Sequence, residues 1–581
     1  MTFLKKLGQS SATQLLTPYY GWLGLSLTVA LFYGWQSWHF AISRDFFIQD
    51  DARQHIFWMQ RFINPALFAN DLIADYFQSV APPGFTAFYH LFAKAGVDPL
   101  WLSKLLPAVL GILTTLYCFG VSLRLFPVPA AAFLSTLLLN QALWMEDDLA
   151  SATPRAFLYP LLLAFLYYLL RGWQWAALAA LALLGLFYPQ MALLAIALLT
   201  LRLFRWPLPP LRLKKASADY QLWGAALLVL ALILLPYKLG STEFGPLITV
   251  AQAKALATFN YVDGYYGRSF FFSSNPLIFW LLGPRSGLLF WGILSPLCLS
   301  GLALPFLLKQ PQKFPSVKQV SAEIKLLAQL VLASLILFGL AHLLLFQLHF
   351  PNRYVYHSFR IVLAIAAGIS LYIYFAAFLK ALPRWSLRQK GAIALPLSLV
   401  VLLLVAPFLP QLTLANQLFK PAREPALHQF LRQQPIASLV VSLDKEAENI
   451  PTFSQRSTLV AREYAFPYHW GYYTQFRQRV LALTAAQYSN QPEQISQFIQ
   501  QFAADFWLLD KQSFTSEYVI KNRLLREFQA TEMVLQALEN PETLVLPKLI
   551  ERCTVLDMNS RVLLAASCVD QAAHVAIEQS N

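Results

Sequence analysis

The chain is 581 residues long, 57% of them hydrophobic, 15% aromatic and only 13% charged. A soluble domain carries roughly 25% charged residues, so this chain has about half the charge needed to wet its own surface, which excludes an ordinary soluble protein. The net charge of +14 does not point to nucleic acid, because no basic tail or RNA-binding motif accompanies it; the basic residues stand in alternate loops between apolar runs, the positive-inside pattern of a membrane protein.

From Tyr19 to about Leu414 apolar runs follow one another, many long enough to cross a hydrocarbon core of ~30 Å, which takes about 20 helical residues. Lipid offers the backbone no hydrogen-bond partners, so these runs must be helical. The pattern predicts a polytopic α-helical membrane protein of about eleven spans, near 19–41, 103–125, 128–144, 156–171, 174–188, 190–204, 222–239, 286–308, 326–347, 359–380 and 392–413. The pair 174–188 and 190–204 is short, and Tyr188-Pro189-Gln190 between them also reads as a kink in one helix.

Lys5 and Lys6, Arg124, Arg171, the Arg202–Lys215 cluster, the Lys309–Lys325 cluster and the Lys380–Lys390 cluster place their loops and the N-terminus in the cytoplasm of a plasma or inner membrane. An odd number of spans then puts the C-terminus outside. The first apolar segment lacks a small-residue cleavage site and reads as an anchor.

Four segments fall on the outer face. The first, 42–102, carries Asp45, Asp50, Asp51, Asp71, Asp75 and Asp98. The second is Glu146-Asp147-Asp148. The third, 240–285, is rich in aromatic residues and glycine, including the run from Tyr261 through Asp263 to Arg268. The fourth runs from Phe350 to Arg360. After Leu414 the composition turns soluble. Ser438–Asp444 and Phe506–Asp510 read as strands and Glu493–Phe506 as a helix, which predicts an extracytoplasmic α/β domain over 415–581 behind a membrane domain over 1–414. Cys118 and Cys298 fall inside spans as small apolar residues, whereas Cys553 and Cys568 flank a predicted hairpin and could pair in an oxidising compartment.

Asp50-Asp51, followed by Arg53 and His55, suits a general base or a hard-cation ligand, since adjacent carboxylates raise one another's affinity for a proton or a cation. A solvated acid pair is the plain alternative. Glu146-Asp147-Asp148 lies at the end of an apolar helix on the same face, so the two acidic groups could converge on one substrate or one metal ion. Arg155 could neutralise those acids or hold a phosphate. Arg353 and Arg360 could grip a lipid phosphate bidentately or extend to lipid headgroups, and Arg268 and Lys238 are weaker candidates of the same type. His357 reads as structural. Glu463, Tyr464, Pro467, His469, Tyr472 and Tyr473 suit either sugar stacking or a domain core. No P-loop, dinucleotide fingerprint, serine elbow or CxxC pair occurs.

This layout resembles the C-type glycosyltransferase superfamily, which includes protein O-mannosyltransferases, aminoarabinose transferases and oligosaccharyltransferase catalytic subunits. The resemblance rests on Gln49-Asp50-Asp51-Ala52-Arg53 in a long first outward loop, Ala81-Pro82-Pro83-Gly84-Phe85 at its end, Glu146-Asp147-Asp148 in the next outward loop, and a folded tail after the last span. It implies Asp50 or Asp51 as a base on the acceptor, and Glu146, Asp147 or Asp148 supporting it or binding a divalent ion, Mg²⁺ or Mn²⁺. It further implies Arg155, Arg353 and Arg360 as contacts of the donor phosphate. The contiguous triple of acids departs from the separated pair of the superfamily, and no peptide-acceptor signature of the oligosaccharyltransferases occurs in the tail.

The expectation is therefore an inverting glycosyltransferase that draws a polyprenyl-phosphate sugar from the membrane lipids and transfers it to an acceptor outside the cytoplasm. A lipid-linked saccharide flippase predicts charges along mid-helix positions that here are almost purely apolar. A non-catalytic scaffold for envelope polysaccharide assembly is the other rival reading.

Overall fold

Proline sets many of the helix starts. Pro83, Pro99, Pro129, Pro154 and Pro189 each stand in the first turn of a helix, where a missing N–H costs nothing and the fixed φ already suits the helix. The computed structural model describes residues 12–206, 212–239, 243–262, 264–289, 296–384, 387–414 and 417–580. Lys5, Lys6, Asp263 and the side chain of Lys238 fall outside the described residues.

The chain is mostly helical. Among the described residues four helices are long and apolar enough to cross a membrane: Pro99–Leu125, Ser217–Leu235, Ala322–Leu343 and Asn352–Ala381. The predicted pair around Pro189 forms two helices, Gln174–Phe187 and Pro189–Arg202, of 14 residues each. Each is about 21 Å long at 1.5 Å per residue, short of a ~30 Å hydrocarbon core. Between them Tyr188 stands outside the helical region at φ −149° and ψ 80°, in keeping with the steric conflict of helical backbone with a following proline. The predicted span 286–308 is not one helix where it is described: a 3₁₀ segment, Pro296–Ala303, leads into the short helix Leu304–Leu308.

Small residues let the central helices approach closely, as is usual where helices pack against one another in lipid. A Cβ at Gly368 would sit 2.4 Å from the backbone nitrogen of Ser135, so the helix Asn352–Ala381 lies directly against Pro129–Trp144. Two polar side chains in that interior pair with neighbours: Asn140 donates to Thr115 at 2.8 Å, and the Trp144 indole donates to Asn140 at 3.2 Å.

The segment 42–102 folds against the C-terminal part of the chain. Strand Phe47–Gln49 pairs antiparallel with Phe419–Pro421, and one continuous buried core takes in Phe57, Trp58, Tyr464 and Tyr472. Beyond it stands a five-stranded sheet. Leu439–Val441 lies between Ser457–Thr458 and Phe506–Asp510 with both pairs parallel. Arg561–Ala565 and Thr554–Asp557 continue the sheet antiparallel. Cys553, at the end of the helix before these two strands, and Cys568, in the helix after them, have Cα atoms 5.5 Å apart and form a disulfide.

Candidate functional site

Gln49 caps the helix Asp50–Ile56 by accepting the amide of Ala52, which places Asp50 and Asp51 in the first helical turn, where the helix dipole favours negative charge. Neighbours on a helix point roughly 100° apart, and the two aspartates diverge accordingly. Asp50 faces the C-terminal part of the chain, paired with Arg53 at 2.7 Å and Lys420 at 3.5 Å. Burial raises its pKa, with Arg53 and Lys420 pulling the other way. Arg53 in turn donates to Asn449 and pairs with Glu448 at 3.4 Å.

Asp51 faces the Glu146–Arg155 segment. Its Oδ2 lies 2.7 Å from Nη2 of Arg155, the second residue of the helix Pro154–Arg171, and its side chain is 37% exposed. The same Arg155 nitrogen lies 2.8 Å from Asp147. Its Nε is 3.1 Å from Asp148, an ion pair by distance without the alignment of a hydrogen bond. Asp148 is fully buried, is bound by Arg360, and accepts a 2.7 Å hydrogen bond from the Tyr159 hydroxyl. Nδ1 of His357 is 2.8 Å from that hydroxyl. Arg360 also approaches Glu146 at 3.8 Å.

Burial pushes the Asp147 carboxyl up to about 6; Arg155 opposes this, and Asp51 and Asp148 add to it. Burial works against ionisation of Asp148 too, but Arg155 and Arg360 hold its carboxyl well below the usual range.

Glu146, Asp147, Asp148, Asp51, Arg155 and Arg360 thus form one network. Asp50 stands beside it in a second network, and the Cys553–Cys568 pair belongs to the sheet. Arg155 and Arg360, expected with Arg353 as phosphate contacts, are engaged by carboxylates. Four carboxyl groups around two guanidiniums leave this network negative, which disfavours a phosphate between them. Arg353 makes no ion pair among the described residues.

Arg285 was not legible as a site residue in the sequence. Its backbone carbonyl accepts from the Asn352 amide at 3.3 Å, and Asn352 Nδ2 donates to Pro284 at 2.6 Å, so the Pro284–Arg285 turn is fastened to the start of the Arg353 helix. Burial lowers the Arg285 pKa; the Tyr468 hydroxyl supports its charge, while Arg353 and Arg268 act against it. Burial and the charges of Arg353 and Arg285 drive the pKa of His349, in the same loop, down to about 3. A cation at the outward end of a predicted span was the only available signal for Arg285. An aromatic groove of about 590 Å³, lined by Phe271, Phe272, Phe279 and His342, adjoins this turn: Phe271 stacks at 5.8 Å on Phe350, over which Arg285 lies at 5.6 Å.

Three other acids of the first loop have structural partners. Asp71 and Asp98 cap the helices Leu72–Val80 and Pro99–Leu125, and Asp75 pairs with Arg61 at 2.8 Å. The tyrosines of the tail cluster are core: Tyr464 and Tyr472 are fully buried, and Tyr472 stacks on Tyr76 at 3.7 Å. Arg268 is held by Glu463 and by the Phe466 ring 4.4 Å away.

Among the described residues no group of three or more histidines, cysteines and acids is arranged to hold a metal ion. Mg²⁺ or Mn²⁺ needs several oxygen ligands turned toward one point. Here Glu146, Asp147, Asp148 and Asp51 each turn toward a guanidinium, so the arrangement does not fit the divalent ion implied by the resemblance.

No family model and no curated protein matches the sequence. The fold is nonetheless shared with solved structures. One is the oligosaccharyltransferase of Archaeoglobus fulgidus in its apo form, 12% identical, with a TM-score of 0.50 over 88% of this chain and 72% of that one. Another is the archaeal oligosaccharyltransferase AglB from Archaeoglobus fulgidus in complex with an inhibitory peptide and a dolichol-phosphate, 11% identical, with a TM-score of 0.51 over 89% and 72%. The likeness is one of fold alone.

Proposed function

We propose that this protein is a membrane glycosyltransferase that moves a sugar from a polyprenyl-phosphate donor to an acceptor hydroxyl, with inversion. The observation that carries the reading is the convergence of Asp51 and Asp147 on Arg155 in a fold shared with oligosaccharyltransferases. One of those relatives was solved with a dolichol-phosphate. Of the two adjacent aspartates, Asp51 is the base: it is more exposed than Asp50 and belongs to the network of the second acidic segment.

Arg155 turns the Asp51 carboxylate to accept a proton. As the acceptor oxygen bonds to the anomeric carbon, its proton passes to Asp51, and the bond from that carbon to the phosphate oxygen breaks. The phosphate leaves as an anion held by Arg353 and Arg285, while the aromatic groove beside Arg285 takes the start of the polyprenyl chain. No step is assigned to a metal ion.

The test uses the full chain in lipid nanodiscs with a panel of polyprenyl-phosphate sugars and hydroxyl acceptors. Transfer should appear with one donor and fall about 100-fold or more in Asp51→Asn, the usual scale for losing a positioned base. Absence of transfer from every donor, together with no binding of polyprenyl phosphate, would remove the transferase reading.

A further inference from the structure

Arg155 occupies the point where the two acidic segments meet. Its guanidinium lies 2.7 Å from Asp51, 2.8 Å from Asp147 and 3.1 Å from Asp148, so one cation is shared by three carboxyl groups from two separate loops. The side chain is only 16% exposed and is fixed at its base by the first turn of the helix Pro154–Arg171. The segment that brings Asp147 and Asp148 to it is fixed as well: the Tyr89 hydroxyl donates to the Ala152 carbonyl at 3.0 Å, and Ser151 and Thr153 pair through their hydroxyls at 2.9 Å.

We infer that the Arg155 guanidinium is a built-in cation standing where a divalent ion would bind, and that the site works without a metal. Three carboxylates brought together repel one another and require a cation between them. An arginine meets that need permanently, since its charge is not lost at any physiological pH, and its planar fork reaches several oxygens at once. A hard divalent ion would need the same oxygens turned toward itself, at 2.0–2.6 Å in general, and would be repelled by the guanidinium already there. Part of the negative charge left over has another partner, since Arg360 binds Asp148.

The inference concerns the same residues as the proposed transferase, but cation binding can be read whether or not sugar is transferred. The probe is Mn²⁺ alone, followed by electron paramagnetic resonance on the full chain in nanodiscs. Wild type should bind no more Mn²⁺ than Asp51→Asn, and EDTA should leave its melting temperature unchanged. Arg155→Ala, which frees three carboxylates, should bind Mn²⁺ on the order of tenfold or more tightly than wild type, and Arg155→Lys should not.

One Mn²⁺ per wild-type chain, lost in Asp51→Asn, would overturn the inference; that comparison decides the matter even if Arg155→Ala fails to fold. Folded Arg155→Ala that gains no Mn²⁺ would also overturn it, because the guanidinium would then not occupy a cation site. Transfer activity missing from a wild type that binds no Mn²⁺ would count against the proposed function and leave this inference standing.

Discussion

Asp51 Oδ2 and Arg155 Nη2 lie 2.7 Å apart although 104 residues separate them in sequence. This contact joins the first acidic segment to the second. Its neighbour Asp50 makes a different long-range contact, with Lys420 at 3.5 Å and, through Arg53, with Glu448. The adjacent aspartates are therefore separable by mutation. Asp51→Asn should lower transfer about 100-fold or more while leaving the melting temperature within about 1–2 °C, because Asp51 is 37% exposed and Arg155 keeps Asp147 and Asp148 as partners. Asp50→Asn should retain transfer and lower the melting temperature, because it leaves Arg53, which is 4% exposed, with one fewer carboxylate. Equal loss of transfer in both variants would show that the two aspartates act as one unit.

Arg353 and Arg285 are expected to hold the phosphate. A charge-assisted hydrogen bond contributes roughly 1.5–3 kcal/mol, so Arg353→Gln or Arg285→Gln should weaken binding of a polyprenyl phosphate by about 10- to 100-fold. Arg353→Lys should recover only part of the loss, because an ammonium lacks the bidentate fork. Titration of a fluorescent polyprenyl phosphate in nanodiscs measures this. Unchanged affinity in both Gln variants would place the phosphate elsewhere.

His55 gives a pH dependence of definite sign. Burial lowers its pKa from 6.5 to about 4; Asp51 opposes this, and Arg268 and Arg155 add to it. A base whose folded pKa is depressed contributes stability that is present above the unfolded pKa and lost as pH falls toward the folded one. The melting temperature should thus decline between about pH 6.5 and pH 4, and His55→Gln should flatten that decline. Asp147 and Glu448, each raised to about 6, act in the opposite sense over pH 4 to 6, so the flattening on removing His55 is the informative readout. A wild-type profile and a His55→Gln profile of the same slope would show that the imidazole is not held neutral.

Much of this arrangement was legible because it follows from hydrophobicity and charge. The long apolar helices Pro99–Leu125 and Asn352–Ala381 and the strand at Phe506–Asp510 are patterns of local composition. The choice between Asp50 and Asp51 was not legible, because it depends on the rotation of a seven-residue helix set by the Gln49 cap and the pairing of Phe47–Gln49 with Phe419–Pro421. Arg285 was hidden for a similar reason. It meets the Arg353 helix through a turn 68 residues away in sequence, at the edge of a run whose described part, from Pro296, adopts 3₁₀ geometry. The roles of Arg155 and Arg360 were also open, since a basic residue beside acids reads equally as their partner or as a phosphate ligand until distances are known.

Packing far from the acids also bears on the site. Gly368 lies on the helix Asn352–Ala381, which carries Arg360 two turns earlier, and it touches Ser135 on the helix Pro129–Trp144, which leads into Asp147 and Asp148. A methyl group at Gly368 would meet the Ser135 backbone nitrogen at 2.4 Å, and backbone cannot rotate away as a side chain can. The two helices must separate, at a cost of roughly 1–3 kcal/mol for such overpacking. Because Arg360 and Asp148 sit on the two elements being pushed apart, the strain should reach their ion pair. Gly368→Ala is therefore expected to lower the melting temperature and to reduce transfer, although it touches none of the charged residues. Arg360→Lys at normal helix spacing is the control: if it lowers transfer while Gly368→Ala does not, the separation is absorbed before it reaches the acids.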